Sequence, residues 1–114
     1  MATTYTLISS VTVGSGGAAN IEFTSIPQTY TDLILKFSLR TDIAGSGPYN
    51  VALRTNGSSS SIYNTRRLYG LNSSVASYTS TAANSTLAGL AQAAGDTANV
   101  FASSEIYLPN YRSS

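Results

Sequence analysis

Hydrophobic and polar positions alternate with period two over several short runs of this chain. In residues 33–40, Leu33, Leu35, Phe37 and Leu39 share one parity, and Ile34, Lys36, Ser38 and Arg40 the other. An extended backbone sends successive side chains to opposite sides, so this alternation predicts a half-buried strand. Residues 5–13 place Tyr5, Leu7, Ser9, Val11 and Val13 on one side and predict another, with the β-branched content strands favour. The glycine-rich run 14–19 reads as a hairpin loop leading back into a short strand over 21–26. Pro27 ends that strand, because proline fixes φ and lacks the N–H a ladder needs. Residues 49–55, 62–71 and 100–108 repeat the alternation, with Gly70 a candidate bulge and Pro109-Asn110 closing the last run.

Between these runs the signals are weaker. Residues 41–48 are a Gly/Ser loop, and 96–99 a turn. Asn56-Gly57 is a strong turn pair, but the four serines behind it predict a longer loop rather than a two-residue hairpin. The Ser/Thr/Ala-rich segment 72–85 is weakly specified. In 86–94, Leu87, Leu90 and Ala91 fit helical spacing, Asn84 or Ser85 could cap it, and Gly95 could end it. Against a helix stand its shortness and Gly89, which costs a helix about 1 kcal/mol relative to alanine. A strand is the expectation there. About seven short strands without a firm helix predict one all-β domain over 1–114, an antiparallel β-sandwich of jelly-roll type. A good strand just before Ser114 leaves a sheet edge to be covered by another chain or by sequence beyond this one.

Composition narrows the function by exclusion. Only 10% of residues are charged, against about 25% in ordinary soluble domains, so Ser, Thr, Asn and Gly must cover the surface. Such a neutral, hydrogen-bonding surface suits a protein inside an assembly or outside a cell better than a crowded cytosolic monomer. A net charge of +1 makes no electrostatic case for nucleic acid or an acidic membrane. The absence of cysteine and histidine removes disulfides, thiolate chemistry and the commonest general base and zinc ligands. The start lacks the pattern of a signal peptide, and no run approaches the ~18 apolar residues of a membrane span. Synthesis in a cytoplasm, without an export address, is the expectation.

The remaining motifs carry little chemistry. Gly14 to Ala19 fits the G-x-G-x-x-A dinucleotide fingerprint, but that motif opens a helix, and Ile21-Glu22-Phe23 alternates like a strand. The acids Glu22, Asp32, Asp42, Asp96 and Glu105 show no pairing that would suggest a glycosidase, and Asp42 alone makes no calcium site. No catalytic, cofactor or metal residue is expected. Asn56, Asn72 and Asn84 begin glycosylation sequons that a Ser/Thr-rich chain contains by chance. Arg66 and Arg67, between Tyr63 and Tyr69, would point to opposite faces of a strand; they suit surface or intersubunit pairing, not a phosphate clamp. With Tyr78, Tyr107 and Tyr111 they complete the candidate interface residues, since amphipathic tyrosine is enriched at interfaces and sugar-binding surfaces.

Four segments carry a family resemblance: SSVTVG at 9–14, IEFTSIPQTYTDL at 21–33, RRLYG at 66–70 and SEIYLPNY at 104–111. Together they resemble short virion proteins of tailed bacteriophages, a group common in cyanophages and other aquatic phages. The resemblance implies a jelly-roll-type sandwich on a capsid surface or in a tail appendage, with no catalytic motif. Similar proteins continue past this last motif for several more strands, so this chain is expected to be a fragment or a shortened relative completed by neighbours. The resulting expectation is a non-enzymatic capsid decoration (cement) protein, a homotrimer contacting the major capsid protein or other virion proteins. The rival is a tail-fibre or receptor-binding tip that recognises a host-surface carbohydrate.

Overall fold

The computed structural model describes residues 4–71 and 73–112, and all of its regular structure is β. Six strands follow in order: β1 Leu33–Leu39, β2 Tyr49–Leu53, β3 Tyr63–Leu71, β4 Ser74–Ala83, β5 Thr86–Ala91 and β6 Ala102–Leu108. They pair two by two, β1 with β6, β2 with β5 and β3 with β4, so each pair nests inside the one before it. The β2–β5 and β3–β4 ladders are antiparallel. Lys36 meets Glu105 and Ser38 meets Ser103, so one number rises as the other falls, and β1–β6 runs the same way.

β1 is the predicted strand over 33–40, shortened by one residue. Leu35, Phe37 and Leu39 are half-buried while Lys36 and Ser38 are exposed, as the alternation requires. The ambiguous run at 86–94 is a strand over Thr86–Ala91. Its Gly89 has a packing role: a Cβ there would come within 3.0 Å of Phe37 Cζ and 2.8 Å of Ser104 Cβ. Asn56 and Gly57 have φ of 53° and 65°, and Ser58 N donates to Thr55 O at 3.0 Å. That is a type I′ turn, yet β2 pairs with β5 and not with β3, so the turn belongs to a longer loop.

Three expectations need correction. Residues 5–13 and 21–26, read as strands, lie outside every strand, although 14–17 makes the expected turn with Gly17 N donating to Gly14 O at 3.0 Å. Alternation expresses a side-chain preference, whereas a ladder also needs a partner's N–H and C=O groups. Gly70 is not a bulge; it faces Val75 in regular register, and the irregularity lies between Tyr63 and Thr65. There Ala82 takes φ 52°, and its N–H donates to Asn64 Oδ1 at 3.1 Å, which satisfies the extra residue. Conversely, the weakly specified segment contains β4, ten residues long; Asn72 itself lies outside the described residues.

The chain divides into two compact units, Met1–Leu33 with Pro109–Ser114, and Ile34–Leu108. In the first, residues 27–32 and 110–112 clasp each other. Tyr111 N donates to Thr31 O at 3.2 Å, Asn110 N to Asp32 Oδ1 at 2.9 Å, and the Tyr111 hydroxyl to the Pro27 carbonyl. In the second, the side-chain hub is Arg40. Its guanidinium donates to the carbonyls of Ala94, Asp96, Thr97 and Val100 at 2.8–3.0 Å. The Asp96 carboxylate in turn accepts from Gly47 N, Ala93 N and Gln92 Nε2. These bonds fix the loop before β2 and the one after β5.

Gly95 touches this hub, since a Cβ on it would fall on the Gly45 carbonyl. Backbone cannot yield as a flexible side chain does. Gly95→Ala should therefore lower stability by about 2 kcal/mol, read as a shift of the urea midpoint at fixed protein concentration. An unchanged midpoint would show that the two loops do not need this close approach.

Candidate functional site

The side chains of the β3–β4 pair divide into two faces. Thr65, Arg67 and Tyr69 project to one side of β3, with Ser80, Tyr78 and Ala76 opposite them on β4; Arg66 and Leu68 project to the other, opposite Thr79 and Ser77. Arg66 and Arg67 therefore look in opposite directions, as adjacent strand residues must. On the first face the Arg67 guanidinium lies over two rings, 4.7 Å from the Tyr69 centroid and 4.9 Å from that of Tyr78. Two-residue spacing along one strand and direct pairing across to the next bring the three together. Its Nε is buried without a hydrogen-bond partner, while Nη1 reaches Asn50 Oδ1 at 3.4 Å. The charge is met mainly by ring faces, an attraction worth about 0.5–2 kcal/mol.

Beside this cluster runs a groove of about 350 Å³ whose polar lining includes Asn50, Thr65, Arg67, Tyr78, Ser80 and Thr86. Thr65 and Thr86 share a hydrogen bond of 2.9 Å across it. The arrangement can offer hydroxyl donors and acceptors, one aromatic ring and one cation. It brings no carboxylate. Asp96 is engaged in the loop hub, Glu105 pairs with Lys36 at 3.0 Å, and Glu22 accepts from Asn20 at 2.6 Å. Among the described residues no group of three or more Asp, Glu, His or Cys could hold a metal ion.

The other candidate residues fall in separate places. Tyr63 is an anchor at the start of β3: its hydroxyl accepts from Thr55 N at 2.9 Å and lies 3.2 Å and 3.1 Å from the Thr55 and Ser58 carbonyls. Its single proton serves one of those carbonyls at a time. Tyr111 is held by Pro27. Tyr107 is exposed on β6, which pairs with β1. The structure therefore brings Arg67, Tyr69 and Tyr78 together and leaves Tyr63, Arg66, Tyr107 and Tyr111 in other roles. Arg40, Asp96 and Asn50 carry no pattern in the sequence; their partners are backbone atoms or lie far along the chain.

The hydrogen bond with the Thr55 side chain, helped by those with the Thr55 backbone and Ser58, holds the Tyr63 phenol below its ordinary pKa of 10.0. Ionisation is thus favoured by the fold. The associated stabilisation is present above the unfolded pKa, is lost as pH falls through the lower folded value, and is nil at neutral pH. An alkaline ultraviolet titration should show one tyrosine ionising ahead of the rest, and Tyr63→Phe should abolish that first step. Persistence of the early step in the variant would assign it to another tyrosine.

The feature that dominates the molecule is unburied apolar surface. Among the described residues only Ala91 and Ala93 are fully buried apolar side chains, at 2% and 0% exposure. Leu7, Leu68 and Val75 are 79%, 77% and 74% exposed, and Val11, Phe101 and Tyr107 at least half. At about 25 cal/mol per Å² of apolar area, such exposure is a strong drive toward association. Comparison with protein-family models, with curated proteins and with solved structures finds no match.

Proposed function

We propose that this chain is a non-enzymatic structural protein of a bacteriophage particle, most specifically a capsid decoration protein acting through protein–protein contacts. The observation that carries the proposal is the exposed apolar surface of a strand-paired chain with almost no closed core. Exposed apolar side chains such as Leu7, Leu68, Val75 and Phe101 are of the kind an interface covers. Low charge lets many copies lie side by side without long-range repulsion. The four motifs that resemble phage virion proteins supply the biological setting. The nested pairing of β1–β6, β2–β5 and β3–β4 supports the jelly-roll form of sandwich, since rolling up one long hairpin produces that order. A homotrimer, contacting the shell at a threefold position, is the proposed assembly.

Purified virions should contain the protein in hundreds of copies by quantitative mass spectrometry, an order set by one copy per shell subunit or per threefold site. Absence from the particle, or a handful of copies, would overturn the decoration role. Few copies would direct attention to the second reading, a tail-fibre or receptor-binding tip. The hydroxyl-lined groove beside Tyr78 favours that alternative, because stacked aromatics and convergent hydroxyls are what a sugar ring requires. Glycan arrays separate the two: specific binding that Tyr78→Ala removes supports the tip, and no binding supports decoration.

A further inference from the structure

Residues 5–13, YTLISSVTV, have the composition and alternation of a strand but belong to no strand. Tyr5, Leu7, Val11 and Val13 are consequently exposed. Among the described residues every sheet has two strands, and beyond them only Arg40 and Gln92 bridge, so edges stay open. An open edge is a row of unpaired N–H and C=O groups, and proteins usually guard it with charge, proline or a short strand. β1 carries Lys36, β3 carries Arg66 and Arg67, β6 carries Glu105, and β2 is only five residues long. β4, SVASYTSTAA, has no such protection: ten residues without a charge, a proline or a glycine. Residues 5–13 are equally bare, and only β3 and β4 are long enough to pair with all of them.

We infer that residues 5–13 are a donated strand that pairs with the free edge of β4 in a second copy of this chain. The inference rests on the assembly proposed above and names its device. Pairing would satisfy both backbones, widen the β3–β4 ribbon to three strands, and set a neighbour beside Val75 on β4. A two-stranded ribbon is marginal in water, and a third strand is what gives it independent stability. Exchange with one neighbour as donor and another as acceptor gives every chain two such junctions. A second copy is favoured over an unrelated partner because both bare surfaces occur on every chain, in equal number.

Hydrogen–deuterium exchange on the assembled chain tests this directly. The amides of residues 5–13 should be protected in the oligomer and should exchange freely in monomer obtained by dilution. Val11→Pro, which removes a donor from the arm, and Ser77→Lys with Thr79→Lys, which charges the edge, should each weaken association at least tenfold. Mixing the two variants should restore one arm–edge junction per pair and yield mixed dimers by native mass spectrometry. Free exchange of residues 5–13 within a stable oligomer would overturn strand donation and leave the assembly standing. Protection that persists in the monomer would show pairing within one chain and also overturn it. A chain monomeric at tens of micromolar would overturn both.

Discussion

Replacing Arg40 with alanine is expected to lower stability by about 3–4 kcal/mol, measured by urea unfolding at fixed protein concentration. The guanidinium donates to four carbonyls, those of Ala94, Asp96, Thr97 and Val100, and no water-sized substitute reaches all four. Hydrogen bonds from a charged donor are worth about 1.5–3 kcal/mol each, but neighbours in one network do not add, and the site is part-exposed. Arg40→Lys should recover less than half, because an ammonium presents a point charge with three donors and cannot reproduce the planar fork. The consequence extends to assembly. The loop that Arg40 holds presents Val100 and Phe101, both substantially exposed. In the proposed assembly, its release should weaken association even where the β3–β4 ladder stays intact. A loss below 1 kcal/mol for Arg40→Ala would show that the loop is held by other means.

Much of the strand content was legible in the sequence, and the reasons are local. β1, β2, β3 and β6 each alternate strongly, and their ends shifted by no more than two residues. Thr86–Ala91 was recognisable as a strand because Gly89 weakened the helical alternative. Residues 74–83 were not recognisable: Ser, Thr and Ala declare no face, and the strand exists because β3 supplies a ladder partner. Residues 5–13 err in the opposite sense, with a clear face and no partner. In both cases pairing, a property of two segments, decided what one segment's pattern could not.

The site was legible to a similar depth. The interleaving of Arg67 with Tyr69 was visible in the sequence, whereas the place of Tyr78 needed the register that puts it opposite Arg67. Arg40 looked like a polar-face residue of β1. Its role emerged only from loop carbonyls more than fifty positions away, to which side-chain type gives no clue. The expectation of a neutral surface built for contact came from composition. The exposure of Leu7, Leu68 and Val75 was not foreseen by composition, which put Ser, Thr, Asn and Gly on the surface.

The second large effect is expected at Gly89, where alanine should cost about 2–3 kcal/mol. An ideal Cβ there would lie 2.5 Å from Ser104 Oγ, 2.8 Å from Ser104 Cβ and 3.0 Å from Phe37 Cζ. The first two are below any contact that real Cβ atoms make, so either β6 or β5 must move. A ring terminus can give way, but Ser104 is tied by its Cβ to the backbone of β6 and cannot rotate clear. The conflict should therefore be specific to Ser104. Ser104→Gly removes both of the closest atoms and leaves only the Phe37 ring, which tilts at small cost. In a double-mutant cycle, Gly89→Ala with Ser104→Gly should recover more than half of the loss, a coupling of about 1–2 kcal/mol. Circular dichroism in urea reads this without a tryptophan, which the chain lacks. An additive cycle would mean that the two strands separate rather than clash, and that the contact between β5 and β6 contributes little. Coupling of the expected size would identify Gly89 as the position that lets β5 approach β6 and β1 closely.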